Sequence, residues 1–449
     1  MSPPIALLIC ILFILYLYRI DFKRKPDVSH ALWIPLIWML IIGSRFVSQW
    51  LNIGTQLKSP DDYLEGSAID RMVFMILIMS GLLILSRRKV NWSQILQNNK
   101  LIVIFFLYCG FSIVWSDFPF VSLKRWVKAI GDLIMILVVL TDRDPIEAVK
   151  TTVRRCAYVL IPLSILFIKY YSYLGRSYSR AGEPLYNGVA TTKNSLGILC
   201  AISGILIFWD LLTIWKRRNL QDVKKEIVID MMFLVMVSWL LRIANSATSL
   251  VCSIIGVLIL IVIRLPFVKR NLRNFGVLVL FAISFFLILQ LSFDVVGLSI
   301  SVLGRDPTLT ERVPLWKELV NMDTDPLIGT GFESFWLGDR AKQLWRTWVW
   351  GINQAHNGYL EIYLNLGLIG LFLLIGVVVS AYKKIRNGLI SEFHYASLQI
   401  AFLVIAVLYN VTEALFRELN LVSFVFFLIA VEIPRKSESE LGASNQNIR

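Results

Sequence analysis

The stretch NQAHNGYLEIYLNLGLIG, residues 353–370, places a histidine directly before a long apolar run. The chain has only 3 histidines, and one at the edge of an apolar segment is costly unless it has a partner or a task. Imidazole is the side chain that ordinarily exchanges a proton near neutral pH, so His356 is a candidate general base. The alternative is a residue at the start of a helix, with Asn357 as the cap of the run that begins at Tyr359.

Basic side chains outside the clusters that flank apolar runs form the second set of candidates. They are Arg176, Arg180, Lys193, Arg305 and Arg312. A planar guanidinium binds phosphate oxygens in a bidentate way that lysine cannot copy, so a diphosphate ligand is the obvious candidate. The alternative is that these side chains are solvated or paired with nearby carboxylates, for which Asp306 and Glu311 are available.

Two further patterns exclude other kinds of chemistry. The segment PLIGTGFESF, residues 326–335, contains Gly329 and Gly331 but lacks the pattern of a dinucleotide-binding unit, so we interpret its glycines as a tight turn. The 5 cysteines lie in or beside apolar runs without CxxC spacing. This arrangement predicts neither a disulfide framework nor a zinc site.

The composition is that of a membrane protein. Of 449 residues, 57% are hydrophobic and 17% charged, and the mean hydropathy is +0.67. Soluble domains are about 45 to 50% apolar and lack repeated apolar runs of roughly 20 residues. The net charge of +14 comes from short basic clusters between such runs, which indicates membrane topology rather than nucleic-acid binding. The first run, residues 4–18, lacks a basic segment before it and a cleavage pattern after it, so we expect a membrane helix rather than a signal peptide.

The apolar runs predict an all-α fold, a polytopic membrane helix bundle of 12–13 transmembrane helices. The runs are residues 4–18, 31–51, 72–86, 101–115, 126–141, 155–171, 195–215, 227–244, 248–265, 275–300, 359–381, 395–409 and 420–433. Several are nearer to 15 than to 20 residues. Twelve and thirteen spans therefore remain equally open, and with them the side of the N-terminus.

Basic clusters between the runs assign the two sides of the membrane. If the spans alternate, these clusters all fall on one side, which the positive-inside rule identifies as the cytoplasm. We divide the chain into transmembrane helices 1–10 with short loops (1–300), one large outward-facing loop containing short helices (301–358), C-terminal transmembrane helices (359–433) and a disordered cytoplasmic tail (434–449). The Ser, Glu and Asn content of that tail is typical of disorder.

Six segments, in this order along most of the chain, carry a resemblance to a known family. They are VWSDFPFVSLKRW (114–126), YNGVATTKNSLG (186–197), NSATSL (245–250), LGRDPTLTERVPLW (303–316), PLIGTGFESFW (326–336) and AHNGYLEIYLNLGLIG (355–370). The ordered set resembles the bacterial O-antigen ligase and polymerase superfamily, and within it the exopolysaccharide polymerase-like branch.

The resemblance implies an enzyme of the bacterial inner membrane whose active face, including the large loop, is periplasmic. Such proteins transfer a glycan from undecaprenyl diphosphate to an acceptor and release the lipid diphosphate, without a metal, a cofactor or a nucleotide sugar. The expected partners are the lipid-linked glycan donor, a glycan or lipid-linked acceptor, the lipid bilayer and other polysaccharide export proteins. Nucleic acid is not an expected partner.

The family's essential arginines and histidine map onto three residues of this sequence. They are Arg180, before the KNSLG segment, Arg312 in the TLTER segment and His356 in the HNGYL segment. The resemblance implies that these residues are catalytic. The arginines would stabilise the charge that develops on the diphosphate, and the histidine would deprotonate or orient a sugar hydroxyl.

Further polar residues are expected to bind substrate. They are Arg176, Lys193, Arg305 and Glu413. Glu413 and Glu361 are also candidates for orienting the base, and the alternative for both is a solvated side chain.

Three other functions are weighed against a polysaccharide polymerase. A ligase that transfers the finished glycan to lipid A core would use the same chemistry, and the sequence does not separate the two. A lipid-linked oligosaccharide flippase would place charged groups near the membrane midplane, and a non-catalytic assembly subunit would need no reactive cluster. The polar residues crowd one water-facing side, which favours surface chemistry. Sugar identity, linkage and oligomeric state are left open.

Overall fold

The computed structural model describes residues 1–24, 28–53, 66–179, 182–272, 312–348 and 351–433. The helices in these ranges are α1 (Pro3–Arg24), α2 (Trp33–Ile42), α3 (Val47–Trp50), α4 (Ala68–Arg87), α5 (Trp92–Asn98), α6 (Lys100–Phe111), α7 (Pro119–Leu140), α8 (Pro145–Tyr170), α9 (Ser172–Gly175), α10 (Lys193–Ile214), α11 (Gln221–Ala244), α12 (Ala247–Val262), α13 (Pro266–Arg270), α14 (Arg312–Val320), α15 (Gly338–Thr347), α16 (Gly358–Ser391), α17 (Phe393–Thr412) and α18 (Leu421–Ala430).

Shorter elements join these helices. The 3₁₀ turns are His30–Leu32, Ser112–Trp115 and Trp215–Arg217. One small antiparallel ribbon pairs β1 (Arg176–Tyr178) with β2 (Pro184–Tyr186). Twelve of the thirteen predicted apolar runs coincide with helices, and the run at residues 275–300 lies outside the part of the chain that is described. The prediction of an all-α membrane bundle is confirmed.

Helix length and composition identify the membrane spans. In the described ranges, 7 helices are long and apolar enough to cross a bilayer, and a count of 8 is reached if α5 and α6, bent by 88°, form one span. The seven are α1, α4, α8, α10, α11, α16 and α17. Three further apolar segments are shorter, at His30–Ile42, Ala247–Val262 and Leu421–Ala430. The chain is therefore a multi-pass membrane protein, and the count of 12–13 spans stays a prediction.

Among the seven candidate membrane spans, α8 and α10 are the most buried, and they lie inside the bundle. Helix α10 packs against α8, α11, α12 and α17, and α16 packs against α6, α17 and α18. The peripheral helix α1 exposes apolar side chains, among them Leu8, Ile9, Leu12 and Leu15. Such a surface suits contact with lipid tails.

Buried charged side chains join the central helices. Arg154 of α8 pairs with Asp210 of α10 and lies 3.3 Å from Asp230 of α11. The neighbouring Arg155 lies 2.6 Å from Asp21 of α1. Burying a charged side chain destabilises the fold unless it is paired. Here each buried arginine is paired with a neighbouring aspartate. These pairs therefore serve the packing of the bundle.

Helix α16 is interrupted at Gly367, where φ is 64° and ψ is −166°. At this break, the N–H of Leu368 donates to the carbonyl of Pro326 (2.9 Å) and the N–H of Ile369 donates to the carbonyl of Leu327 (3.1 Å). Backbone groups inside an apolar region must find partners within the protein. The loop of residues 325–336 supplies them and so holds the two parts of α16 together.

The same loop also binds the carbonyl groups before the break. The N–H of Gly331 donates to the carbonyl of Asn365 (2.8 Å), and the N–H of Thr330 donates to that of Leu364 (3.2 Å). Gly329 and Gly331 have φ values of 67° and 92°, and a Cβ at Gly329 would overlap the Asn365 backbone. Only glycine fits such a close approach. The interpretation of these glycines as turn residues is therefore confirmed.

Candidate functional site

The carboxylate of Glu413 is the centre of the candidate site. Its Oε1 accepts hydrogen bonds from Arg312 Nη2 (3.1 Å) and Asn194 Nδ2 (2.8 Å). Its Oε2 lies 3.3 Å from His356 Nδ1. Glu413 is only 5% exposed, so the alternative of a solvated side chain is wrong. The structure thus joins a guanidinium, an imidazole and an amide through one buried carboxylate.

The loop of residues 413–420, between α17 and α18, positions this carboxylate. Near its start, Asn410 Oδ1 accepts from the N–H groups of Leu415 (3.0 Å) and Phe416 (2.9 Å). Near its end, the buried Asp132 of α7 accepts from the N–H of Leu419 (3.0 Å). Side chains of two helices therefore satisfy the backbone of this loop and limit its movement.

Arg312 is the first residue of α14. Its guanidinium donates to the carbonyl of Thr412 through Nη1 and to Glu413 through Nη2. Arginine has five N–H donors, so the contacts seen among the described residues leave donors for an anion. Glu311 and Asp306, which the sequence offered as carboxylate partners of this arginine, lie outside the described ranges.

His356 lies in the turn that leads into α16. Its φ is 50°, in the left-handed region that residues other than glycine seldom adopt. The next residue, Asn357, caps α16 by accepting from the N–H groups of Tyr359 (3.0 Å) and Leu360 (3.1 Å), as the sequence predicted. The imidazole remains 29% exposed. Solvent or a ligand can therefore reach the ring whose Nδ1 faces Glu413.

Asn194 and Lys193 belong to the first turn of α10. Thr192 caps this helix by accepting from the N–H of Ser195 (3.1 Å), which brings Asn194 to the Glu413 carboxylate. A helix N-terminus carries partial positive charge, so this end of α10 adds to the cationic character of the site. Sequence reasoning selected Lys193 and missed Asn194, whose only signal was its place after a helix cap in the KNSLG segment.

Arg176 is the one remaining basic candidate that lies in the described ranges, and its hydrogen bonds and ring contact are outside this cluster. Arg176 donates from Nε (3.0 Å) and Nη2 (2.8 Å) to the carbonyl of Ile168 near the end of α8, and its guanidinium lies 5.5 Å from the ring centre of Tyr186. The structure thus places this cation at a helix C-terminus, where cations are stabilising. Its role in substrate binding stays a prediction. Arg180 and Arg305 lie outside the described residues.

The ends of three helices meet at the site. The first residues of α10 and α16 and the last residue of α17 meet around Glu413. The basic residues Lys383, Lys384 and Arg386 lie in the distant part of α16, and the basic cluster at 216–225 follows the far end of α10. The site and these basic clusters are therefore at opposite ends of their helices.

Comparisons with known proteins agree with this architecture. Residues 231–375, which include Arg312 and His356, match the family described as O-Antigen ligase. Residues 63–165 match a family of unknown function. Together with the bundle of membrane helices, this match makes the central part of the chain similar to the O-antigen ligase family of membrane proteins.

One relative narrows the class further. The chain is 24% identical over 299 residues to the exopolysaccharide production protein ExoQ of Rhizobium meliloti (strain 1021). The match covers 64% of this chain and 65% of that protein, slightly less than two thirds of the relative's length. The similarity is therefore to a protein of exopolysaccharide production.

Proposed function

We propose that this protein is a membrane glycosyltransferase that transfers a glycan from an undecaprenyl-diphosphate donor to a glycan acceptor and so acts as a polysaccharide polymerase. The observation that carries the proposal is the convergence of Arg312 and His356 on Glu413, from positions 101 and 57 residues earlier in the chain. A cation beside an oriented imidazole is the arrangement that transfer from a diphosphate requires.

His356 acts as the general base. The Glu413 carboxylate beside Nδ1 (3.3 Å) favours the tautomer in which Nδ1 carries the proton, so Nε2 is free to accept one. The same division of roles between a carboxylate and an imidazole occurs in proteases and other hydrolases. The 29% exposure of the imidazole gives an acceptor hydroxyl access to Nε2.

The transfer forms one bond and breaks another. The acceptor oxygen bonds to the anomeric carbon of the donor sugar while the bond from that carbon to the phosphate oxygen breaks. The electron pair leaves with undecaprenyl diphosphate, and the hydroxyl proton passes to His356 Nε2. The residues of this site supply the base and the cations, so the proposed transfer needs no metal ion.

Arg312 stabilises the charge on the leaving diphosphate. In the structure its guanidinium is bound to Glu413. The incoming diphosphate binds the remaining N–H donors and competes with this carboxylate for Nη2. Asn194 continues to hold Glu413 when the guanidinium turns to the ligand. The N-terminus of α10, with Lys193 as its first residue, adds positive potential beside the diphosphate.

The orientation of the helices supports a periplasmic site. The basic clusters at the far ends of α10 and α16 are expected in the cytoplasm by the positive-inside rule. The Glu413 cluster at the opposite ends then faces outward across the inner membrane. Lipid-linked glycans that have reached this face would be within reach of the site.

Purified protein incubated with an undecaprenyl-diphosphate glycan tests the proposal. We expect longer glycan chains and free lipid diphosphate, at a rate that EDTA leaves unchanged. His356→Ala should abolish both products while the protein stays folded and in the membrane fraction. His394→Ala is the matched control, because His394 is exposed at the other end of α17 from Glu413. Product formation by His356→Ala would overturn the proposal.

The acceptor separates the rival functions. A ligase would release lipid diphosphate only when lipid A core is present, whereas a polymerase needs only a second lipid-linked glycan. A flippase would move the donor across vesicles without forming product and would tolerate His356→Ala. An assembly subunit would tolerate the combined loss of Arg312 and His356.

A further inference from the structure

The backbone just before His356 is held on both sides. The N–H of Ala355 donates to Glu361 Oε2 (2.8 Å), and the carbonyl of Ala355 accepts from Trp316 Nε1 (2.7 Å). Ala355 itself is 0% exposed. The carbonyl of Ala355 and the N–H of His356 belong to the same planar peptide unit. The hydrogen bond from Trp316 therefore fixes the orientation of that unit, and with it the strained φ of 50° at His356.

Both carboxylate oxygens of Glu361 accept hydrogen bonds from the protein. Its Oε1 accepts from the indole N–H of Trp336 in the 325–336 loop, and its Oε2 accepts from Ala355. The side chain is 2% exposed, so substrate does not reach it. Burying a carboxylate destabilises the folded protein unless hydrogen bonds compensate for the lost hydration. Here those bonds link the turn that carries His356 to the loop that holds the break in α16.

Trp316 links the same turn to the cation. It lies four residues after Arg312 on α14, and residues with this spacing share a face of a helix. Arg312 contacts Thr412 and Glu413, while Trp316 contacts Ala355. One short helix therefore determines the separation between the guanidinium and the backbone of the base.

We propose that Trp316 and Glu361 are positioning residues that set the imidazole of His356 against Glu413 by holding the backbone of Ala355. The proposal rests on the proposed role of His356 as the base. Neither residue contacts the reacting groups. Their effect is to keep the left-handed turn at residue 356 in the one conformation that directs the ring to Glu413.

Trp316→Phe is the sharpest variant, because it removes only the indole donor and keeps an aromatic ring. We expect kcat to fall by about 10- to 100-fold, since a displacement of about 1 Å of a catalytic group has effects of this size. KM for the donor and the direct binding of undecaprenyl diphosphate should stay unchanged. Glu361→Gln should behave in the same way, because Trp336 and Ala355 donate to different oxygens of the carboxylate and the amide nitrogen that replaces one of them cannot accept.

Trp345→Phe is the matched control. Trp345 Nε1 donates to the carbonyl of Ile352 (2.8 Å), three residues before Ala355, so this variant loses the same kind of bond in the same segment. A fall in kcat for Trp316→Phe but not for Trp345→Phe supports positioning. Equal losses in both variants would show a general effect on the fold and overturn the proposal.

Chemical rescue separates this proposal from the proposed function. In His356→Gly, added imidazole is not attached to the Ala355 backbone, so Trp316→Phe should not reduce the rescued rate. A rescued rate that falls as much as the wild-type rate would contradict positioning. If His356→Gly is fully active without imidazole, the role of His356 as the base fails. If His356→Gly is inactive while Trp316→Phe and Glu361→Gln keep their full kcat, positioning alone fails.

Discussion

Glu413 Oε2 lies 3.3 Å from His356 Nδ1, although 57 residues separate the two in the chain. The other oxygen of the same carboxylate is bound to Arg312 and Asn194. One side chain therefore contacts both the imidazole and the guanidinium. On the proposed function, its removal should weaken the base and free the cation.

Glu413→Gln tests that division. Loss of the negative charge removes the partner that favours the reactive tautomer of His356, so we expect kcat to fall by about 100-fold or more. Arg312 is released from its carboxylate, so the donor should bind as tightly as before or more tightly. Donor titration and the rate at saturating donor measure the two effects. Weaker donor binding with an unchanged kcat would instead make Glu413 a substrate-binding residue, as the sequence analysis first suggested.

Arg312→Lys tests the need for a planar cation. Lysine keeps the charge but cannot bind two phosphate oxygens in a bidentate way, so we expect the catalytic efficiency to fall by about 10-fold or more. The steady-state rate against donor concentration measures this loss. Arg346→Lys, at an exposed position near the end of α15, is the control and should keep the wild-type rate. Full activity of Arg312→Lys would show that charge alone is sufficient.

Gly367→Ala tests the break in α16. A φ of 64° with a ψ of −166° is a conformation restricted to glycine, and a Cβ there would overlap the Leu327 carbonyl. We expect a destabilisation of more than about 1 kcal/mol, seen as a lower apparent unfolding temperature in detergent. Gly376→Ala on the same helix is the control, because its Cβ would lie 3.7 Å from Leu101, an ordinary contact. Equal unfolding temperatures for the two variants would contradict this account.

Glu418 should make stability depend on pH. Burial, and then the neighbouring Glu333 carboxylate, raise the pKa of Glu418 from 4.5 to about 7, while Arg417 opposes the rise. The folded protein therefore holds a proton that the unfolded chain has lost, so this group's contribution to stability is present below its ordinary pKa and is lost as pH rises through 7. We expect the apparent unfolding temperature to fall between about pH 5 and about pH 8.

Glu418→Gln should reduce this pH dependence, because an amide does not titrate. The exposed Glu183 provides the control, and Glu183→Gln should leave the dependence unchanged. A steeper loss of stability with pH in Glu418→Gln would mean that the carboxylate is charged in the folded protein and that its pKa is not raised.

The apolar pattern predicted most of the helices and missed the break in α16. Runs such as residues 195–215 coincide with helices because the hydrophobic requirement of a membrane helix is visible residue by residue. The interruption at Gly367 is not visible, since NLGLIG has the composition of a continuous apolar helix. It depends on a loop some forty residues earlier, whose carbonyl groups replace those of the helix.

The sequence predicted individual residues of the candidate site but not the contacts between them. His356, Arg312 and Glu413 were each selected for the chemistry of their side chains, and Lys193 lies next to Asn194 at the cluster. Their pairing depends on how α10, α14, α16 and α17 meet, which no local pattern encodes. Trp316 was missed for the same reason, because an indole in a tryptophan-rich segment has the appearance of an interfacial residue.

Arg312 and Trp316 are both on the nine-residue helix α14, and this has a consequence for the evolution of the protein. A tilt of that helix would move the Arg312 guanidinium and the Trp316 indole, which holds the backbone beside His356, in the same direction. The spacing between Arg312 and His356 would therefore change little when the surrounding loops rearrange. If the proposed transfer is correct, changes in the surrounding loops would alter which sugar is accepted without changing the spacing between Arg312 and His356.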